Sequence, residues 1–245
     1  MTDRTATGTA GTSPLVYARV AGVLYLILAI VAPFSFFFVR SSIIVPGDAT
    51  ATATNLMASE SLFRAGIVSD SIVFLIEIVL VAILYVLLKP VSQTLALIAA
   101  FARLAMTVIQ GVNLLNYAFV LLLVSNGGSL TAFEPAQVDA LVLLFLDAYE
   151  YGALIWGTFF GLHLLVLGYL LFQSGFFPRF LGVLFVFSSL GYLTDSFGSF
   201  LVPNFDEILG WVVLTSIPAE LAFPLWLLIK GVDVEQWEKR ARESA

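Results

Sequence analysis

Six long apolar stretches dominate this chain and leave little sequence outside them. A helix needs about 20 apolar residues to cross a hydrocarbon core of about 30 Å. Stretches 17–39, 67–88, 94–124, 152–172, 180–202 and 209–229 meet that requirement. A transmembrane barrel would show strands alternating apolar and polar side chains, whereas these runs are continuous. The expected fold class is therefore all-α, an integral membrane bundle of six transmembrane helices. With a mean hydropathy of +1.01 and 11% charged residues, the chain has no material for a sizeable soluble domain.

The third stretch is longer than a bilayer requires and is expected to tilt or project. The fourth is expected to begin earlier, because Pro135 opens a helical pattern running through Asp147 and Tyr149. Residues 1–16 read as a disordered, Thr/Ala/Gly-rich cytoplasmic tail, 17–231 as the six-helix transmembrane domain, and 232–245 as a short charged cytoplasmic tail. At 23 residues, the first stretch exceeds the apolar region of a cleaved signal peptide and is expected to be a retained helix. Segment 40–66 is the one long connection, with Pro46, Gly47 and Asp48 followed by a helix-prone run. Together with the Asn126-Gly127-Gly128 turn, it is expected to lid the external face.

Orientation follows from the basic residues. Arg4, Arg19, Lys89, Arg179, Lys230, Lys239, Arg240 and Arg242 fall on one side of a six-span arrangement, and Arg40 and Arg64 on the other. Both termini are therefore expected in the cytoplasm, and the location is the cell membrane, a prokaryotic plasma membrane. The lipid bilayer is the first partner expected. A net charge of −6 provides no basic stripe for nucleic acid. The absence of cysteine removes disulfides, thiol catalysis and cysteine metal sites, and one histidine cannot build a multi-histidine zinc site. No catalytic, cofactor-binding or metal-ligating residue is assigned, and no cofactor is expected.

Several blocks carry a resemblance. They are Arg19-Val-Ala-Gly-Val-Leu-Tyr-Leu, Leu84-Tyr-Val-Leu-Leu-Lys-Pro-Val with Phe101-Ala-Arg-Leu, and Leu225-Trp-Leu-Leu-Ile-Lys-Gly. The most specific runs from Gly161-Leu-His163 through Gln-Ser-Gly-Phe-Phe-Pro-Arg-Phe-Leu-Gly182. Together they resemble the multi-pass membrane family catalogued as domain of unknown function 4386, over about residues 19–231. The resemblance supports six helices and implies no activity and no catalytic residues.

Polar residues inside the spans carry the remaining information, because an ionisable side chain at a helix centre costs about 2.5–3.5 kcal/mol on insertion scales. Glu77 is twelve residues from Lys89, Arg103 ten from Gln93, His163 ten from Gln173 and Glu220 ten from Lys230. At 1.5 Å per residue, all four lie about 15–18 Å deep, near the midplane. Glu77 is the expected partner of Arg103, since it sits on the adjacent antiparallel helix. Pro218 and Pro224 flank Glu220 and are expected to kink its helix. A second layer lies further outward, with Asp70, Gln110, Asn113, Tyr192 and Asp195 expected to line a polar chamber open to the external side.

The first functional reading is a protein that binds or transports a small molecule or ion through that outward-facing cavity. The alternative is a structural or accessory membrane protein whose polar residues act as interhelical glue, at about 1 kcal/mol per hydrogen bond. An intramembrane enzyme ranks third, since the chain displays no nucleophile or acid–base pair. The topology is open to direct test. Cysteines placed at Ala49 and Gly128 should react with an impermeant reagent added outside cells, while one at Ser174 should not; the inverse labelling pattern would reverse the orientation.

Overall fold

A computed structural model describes residues 13–125, 132–202, 205 and 209–244. Residues 1–12 of the expected tail, the Asn126-Gly127-Gly128 turn, Asp206 and Glu207 lie outside the described residues. Every regular element among those described is helical. Helix α1 covers Pro14–Pro33, a π-helical turn covers Phe34–Val39, and α2 covers Arg40–Ile43. Helices α3 (Ala49–Ala58), α4 (Glu60–Leu88), α5 (Gln93–Asn113), α6 (Leu115–Ser125) and α7 (Pro135–Ser174) follow. The chain continues through α8 (Arg179–Leu201), α9 (Leu209–Ile229) and α10 (Val234–Glu243).

Local chemistry sets the helix starts. The side chains of Ser13, Asp48, Ser92 and Asp233 accept hydrogen bonds from the first-turn amides of α1, α3, α5 and α10. Helix α7 opens with Pro135 at its first position and a reciprocal Glu134/Gln137 capping box. It ends at Gly175, whose φ of +76° only glycine adopts without strain, and the chain then turns through Pro178 into α8.

Five helical stretches are long and apolar enough to cross a membrane: Pro14–Ile43, Glu60–Leu88, Gln93–Ser125, Pro135–Ser174 and Arg179–Leu201. The chain is thus a helical, membrane-spanning protein. Helix α9 contributes a shorter apolar stretch, Leu214–Ile229. Neighbours in sequence are neighbours in space: α1 packs on α4, α4 on α5, α5 on α7, α7 on α8, α8 on α9, and α9 back on α1. The six helices form a closed ring. Leu80, Leu84, Leu87, Leu164, Leu167, Leu171 and Phe223 fill one half of its interior. A second apolar cluster, including Ile43, Leu56, Phe63, Val120 and Leu146, ties α3 and α6 to α7 in the other half.

The α7–α8 contact is the most extensive in the bundle, and small residues make it close. Gly157, Gly161 and Gly168 on α7 face Ser196, Leu193 and Gly182 on α8. The Ser189 hydroxyl donates to the Gly161 carbonyl at 2.7 Å. In lipid, where apolar burial does not drive association, such close approach supplies the dispersion and hydrogen bonding that hold helices together.

One face of the bundle gathers the start of α1, the ends of α4, α7 and α9, and α10. Helix C-termini leave carbonyls without intrahelical partners. Three side chains reach back to cap them. Arg19 donates to the carbonyls of Leu228 and Ile229, the Trp237 indole donates to Leu87 at 2.8 Å, and Arg240 donates to Gln173 at 3.0 Å. Two of these residues belong to the segment expected as a charged tail. That segment is a helix docked on the bundle, because its indole and guanidinium satisfy orphaned carbonyls that water would otherwise serve.

The structure departs from the sequence expectations elsewhere too. The third stretch breaks at Leu114 into α5 and α6, whereas the helix-prone run expected in connection 40–66 is indeed helical, as α3 and the start of α4. The first helix begins at Pro14, inside the segment expected to be a disordered tail. Ser174 is buried, its hydroxyl donating to the Leu171 carbonyl and accepting from the Phe177 amide. A cysteine there would be silent from either side, so exposed Glu238 on α10 replaces it as the reporter for that face.

The small-residue seam yields a second prediction. A Cβ added at Gly168 would lie 2.7 Å from the Gly182 carbonyl oxygen, whereas one at Gly111 would meet only Phe74 at 3.9 Å. Gly168→Ala should sharply lower folded yield and thermal midpoint in detergent. Gly111→Ala should leave both unchanged or slightly raised, by up to about 1 kcal/mol from helix propensity. Equal behaviour of the two variants would show that the α7–α8 contact tolerates separation.

Candidate functional site

Arg103 on α5 anchors the centre of the ring. Its side chain is 3% exposed, and its Nε donates to Glu77 Oε2 on α4 at 2.6 Å, the ion pair expected from matched depth. Its Nη1 donates to the Tyr25 hydroxyl on α1 at 2.9 Å and contacts His163 Nε2 on α7 at 3.0 Å. The guanidinium also lies over the Tyr25 ring, 5.1 Å from its centroid.

The partners settle the histidine tautomer. His163 Nδ1 lies 2.8 Å from the Ala99 carbonyl, which can only accept, so Nδ1 carries the proton. Arginine can only donate, so Nε2 offers its lone pair to Arg103. His163 is a neutral acceptor with both nitrogens engaged, and it has none left for a metal or haem iron. Beside Arg103 and His163 is a cavity of about 10 Å³, also lined by Leu84 and Leu167. That is room for about one water molecule.

On the other side of the ring, the Tyr192 hydroxyl of α8 donates to Glu220 Oε1 of α9 at 3.1 Å. Phe160 packs between this pair and His163, with ring centroids 4.8 Å from Tyr192 and 6.2 Å from His163. Glu220 lies in the electrostatic field of Arg103 and Glu77. Its helical neighbours Ser216, Phe223 and Leu227 are buried, yet Glu220 itself is exposed. On the inward stripe of α9, Glu220 is thus the residue that the packing leaves exposed. Pro224 has no N–H to give the Glu220 carbonyl four residues earlier, so the main chain there carries a free acceptor as well.

The outer candidates form a different assembly. Asn113 Nδ2 donates to the Tyr149 carbonyl at 2.8 Å and to Gln110 Oε1 at 3.3 Å. Gln110 Nε2 donates to the Tyr149 hydroxyl at 2.9 Å, and that hydroxyl donates to Asp70 Oδ2 at 3.4 Å. Gly152 leaves room for the Asn113 side chain, whose atoms occupy the place a Cβ would take. Asp70, Gln110 and Asn113 are thus brought together, as a hydrogen-bonded layer closed by Tyr149. Tyr192 belongs to the midplane group with Glu220, and Asp195 follows one turn further along α8.

Residues that the sequence reading missed complete both layers. Arg40 forms an ion pair with Glu150, donates to the Tyr117 hydroxyl at 3.0 Å and lies over the rings of Phe36 and Tyr149. Glu150 is therefore paired with a cation. Tyr117 and Tyr149 stack at 4.0 Å. The π-turn delivers Arg40 here: Pro33 interrupts the helical ladder, the next turn widens, and Ser35 and Val39 then pack against Gly66 of α4. Tyr25 carried a readable signal. It lies eleven residues into α1, at about the same 16 Å depth as the charged residues.

A closed ring of helices, several of them long and apolar enough to cross a membrane, around a charged centre defines a polytopic α-helical membrane protein. The profile of the family described as Domain of unknown function (DUF4386) matches residues 20–231, and the chain belongs to that family. A relative from Archaeoglobus fulgidus, described as an uncharacterized protein, is 28% identical over 166 residues, covering 67% of this chain and 83% of its own. No solved structure matches the chain.

The central pair can be separated from its surroundings by mutation. Removing one partner of a buried pair leaves an uncompensated charge and costs about 3–5 kcal/mol, whereas removing both is often neutral. Glu77→Gln should therefore lower the thermal midpoint strongly, and Arg103→Met in the same protein should recover much of the loss. Strictly additive losses would mean that the two side chains are not coupled.

Proposed function

We propose that this chain is a six-span protein of a prokaryotic cell membrane, with both termini in the cytoplasm, that binds and carries a proton or small monovalent cation at Glu220. The observation that carries this reading is the placement of Glu220. It is an accessible carboxylate on the inward arc of a proline-interrupted helix, within the field of a single buried Arg–Glu pair. Arg103 is matched by Glu77, so the negative charge of Glu220 is left for an exchangeable cation. Carboxylates and freed carbonyls on broken helices are the groups that hold coupling ions at the midplane of transporters. The basic asymmetry of the loops supports the orientation, and the archaeal relative supports a prokaryotic setting.

This places the exchange site deeper than the outward chamber expected from sequence, since Asp70, Gln110 and Asn113 bond to one another through Tyr149. That closed layer favours the second reading, an accessory membrane protein whose polar groups lock helices together. Flux distinguishes the two. Protein reconstituted in vesicles with an internal pH dye, under an imposed potential, should change luminal pH, or admit sodium or potassium, faster than empty vesicles. Glu220→Gln should abolish that flux while the protein elutes as a folded species. Absence of flux in the unmodified protein, or unchanged flux in Glu220→Gln, overturns the exchange site.

A further inference from the structure

The lipid-facing surface carries a second site, independent of the charged centre. A cleft of about 540 Å³ runs along the outside of α7, between α8 and the start of α5. Its floor includes Leu165 and Phe172, one wall is Val183 and Phe187, and Leu95 stands opposite. The lining is almost wholly aliphatic and aromatic, and the volume falls within the ordinary range for a ligand pocket, about 300–1,000 Å³.

Depth identifies the occupant. Phe172 lies two residues from the end of α7, and Leu165 seven residues deeper, so the cleft reaches about 14 Å inward from the turn joining α7 to α8. One leaflet of hydrocarbon is about 15 Å thick. The cleft therefore lies within a single leaflet and opens at the level of the headgroups. Arg179 stands at that mouth, at the first position of α8, with its guanidinium over the Phe172 ring at 5.4 Å. The described residues place no carboxylate in ion-pair contact with it, so its charge faces the interface unmatched. We propose that this cleft holds one chain of an anionic phospholipid, with Arg179 binding the phosphate. The aromatic stack pre-positions the guanidinium, and its N–H groups are free for phosphate oxygens.

The test is lipid retention by the full chain. Protein stripped of lipid in detergent is incubated with mixed micelles containing phosphatidylglycerol or phosphatidylcholine, and native mass spectrometry counts the lipids kept. The unmodified chain should keep one phosphatidylglycerol in preference to phosphatidylcholine. Arg179→Gln should weaken phosphatidylglycerol retention about fivefold, the worth of one basic group at an anionic surface, without changing phosphatidylcholine. Val183→Trp should fill the cleft and exclude both; Val183 is 42% exposed, so the change does not burden the core. Equal retention of the two lipids by the unmodified chain, or unchanged phosphatidylglycerol retention in both variants, overturns the proposal. So does a dimer that Val183→Trp converts to monomer, which would assign the cleft to a second copy.

Discussion

The structure depends on one constraint, that a guanidinium buried in an apolar helical bundle must be neutralised and hydrogen-bonded by the protein itself. Arg103 meets it with a carboxylate from α4, a hydroxyl from α1 and an imidazole from α7. Those contacts tie α4, α1 and α7 to α5. The low dielectric that makes the charge expensive also strengthens each of these bonds. Removing any partner therefore disturbs more than one helix contact.

Around that centre, the rest of the bundle is held by two inexpensive devices. Along α7 and α8, glycine and serine let backbones approach closely enough for hydrogen bonding between helices. At the face carrying both ends of the described chain, Arg19, Trp237 and Arg240 close the exposed carbonyls of α9, α4 and α7. Because α10 supplies two of those three caps, the last helix acts as a clasp across the turns rather than as an appendage.

The two polar layers differ in kind. The outer one is saturated: Asp70, Gln110, Asn113 and Tyr149 satisfy each other, and Arg40 with Glu150 covers them. Such a layer suits a rigid plug. The inner one is uneven, with Arg103 bonded to three other helices and Glu220 exposed and held by the Tyr192 hydroxyl. The division gives rigidity to one layer and leaves an exposed carboxylate in the other.

Much of this was legible in the residues themselves. Apolar runs too long for a soluble core dictated membrane-spanning helices, and counting along them put Glu77, Arg103, His163 and Glu220 at one depth. Depth is one-dimensional, however, and says nothing of rotation about the helix axis. Only packing showed that Tyr25 completes the Arg103 shell, that Tyr192 turns to Glu220, and that Asp70, Gln110 and Asn113 close on Tyr149. The π-turn after Pro33 and the docking of Trp237 on Leu87 were also beyond reach, because each depends on a partner distant in sequence. The sequence by itself determined the membrane-spanning helices and the order of the charges along them, since those follow from composition and a rise of 1.5 Å per residue. The tertiary structure decided which charges meet and which one is left accessible, since that depends on the facing of six helices around a ring.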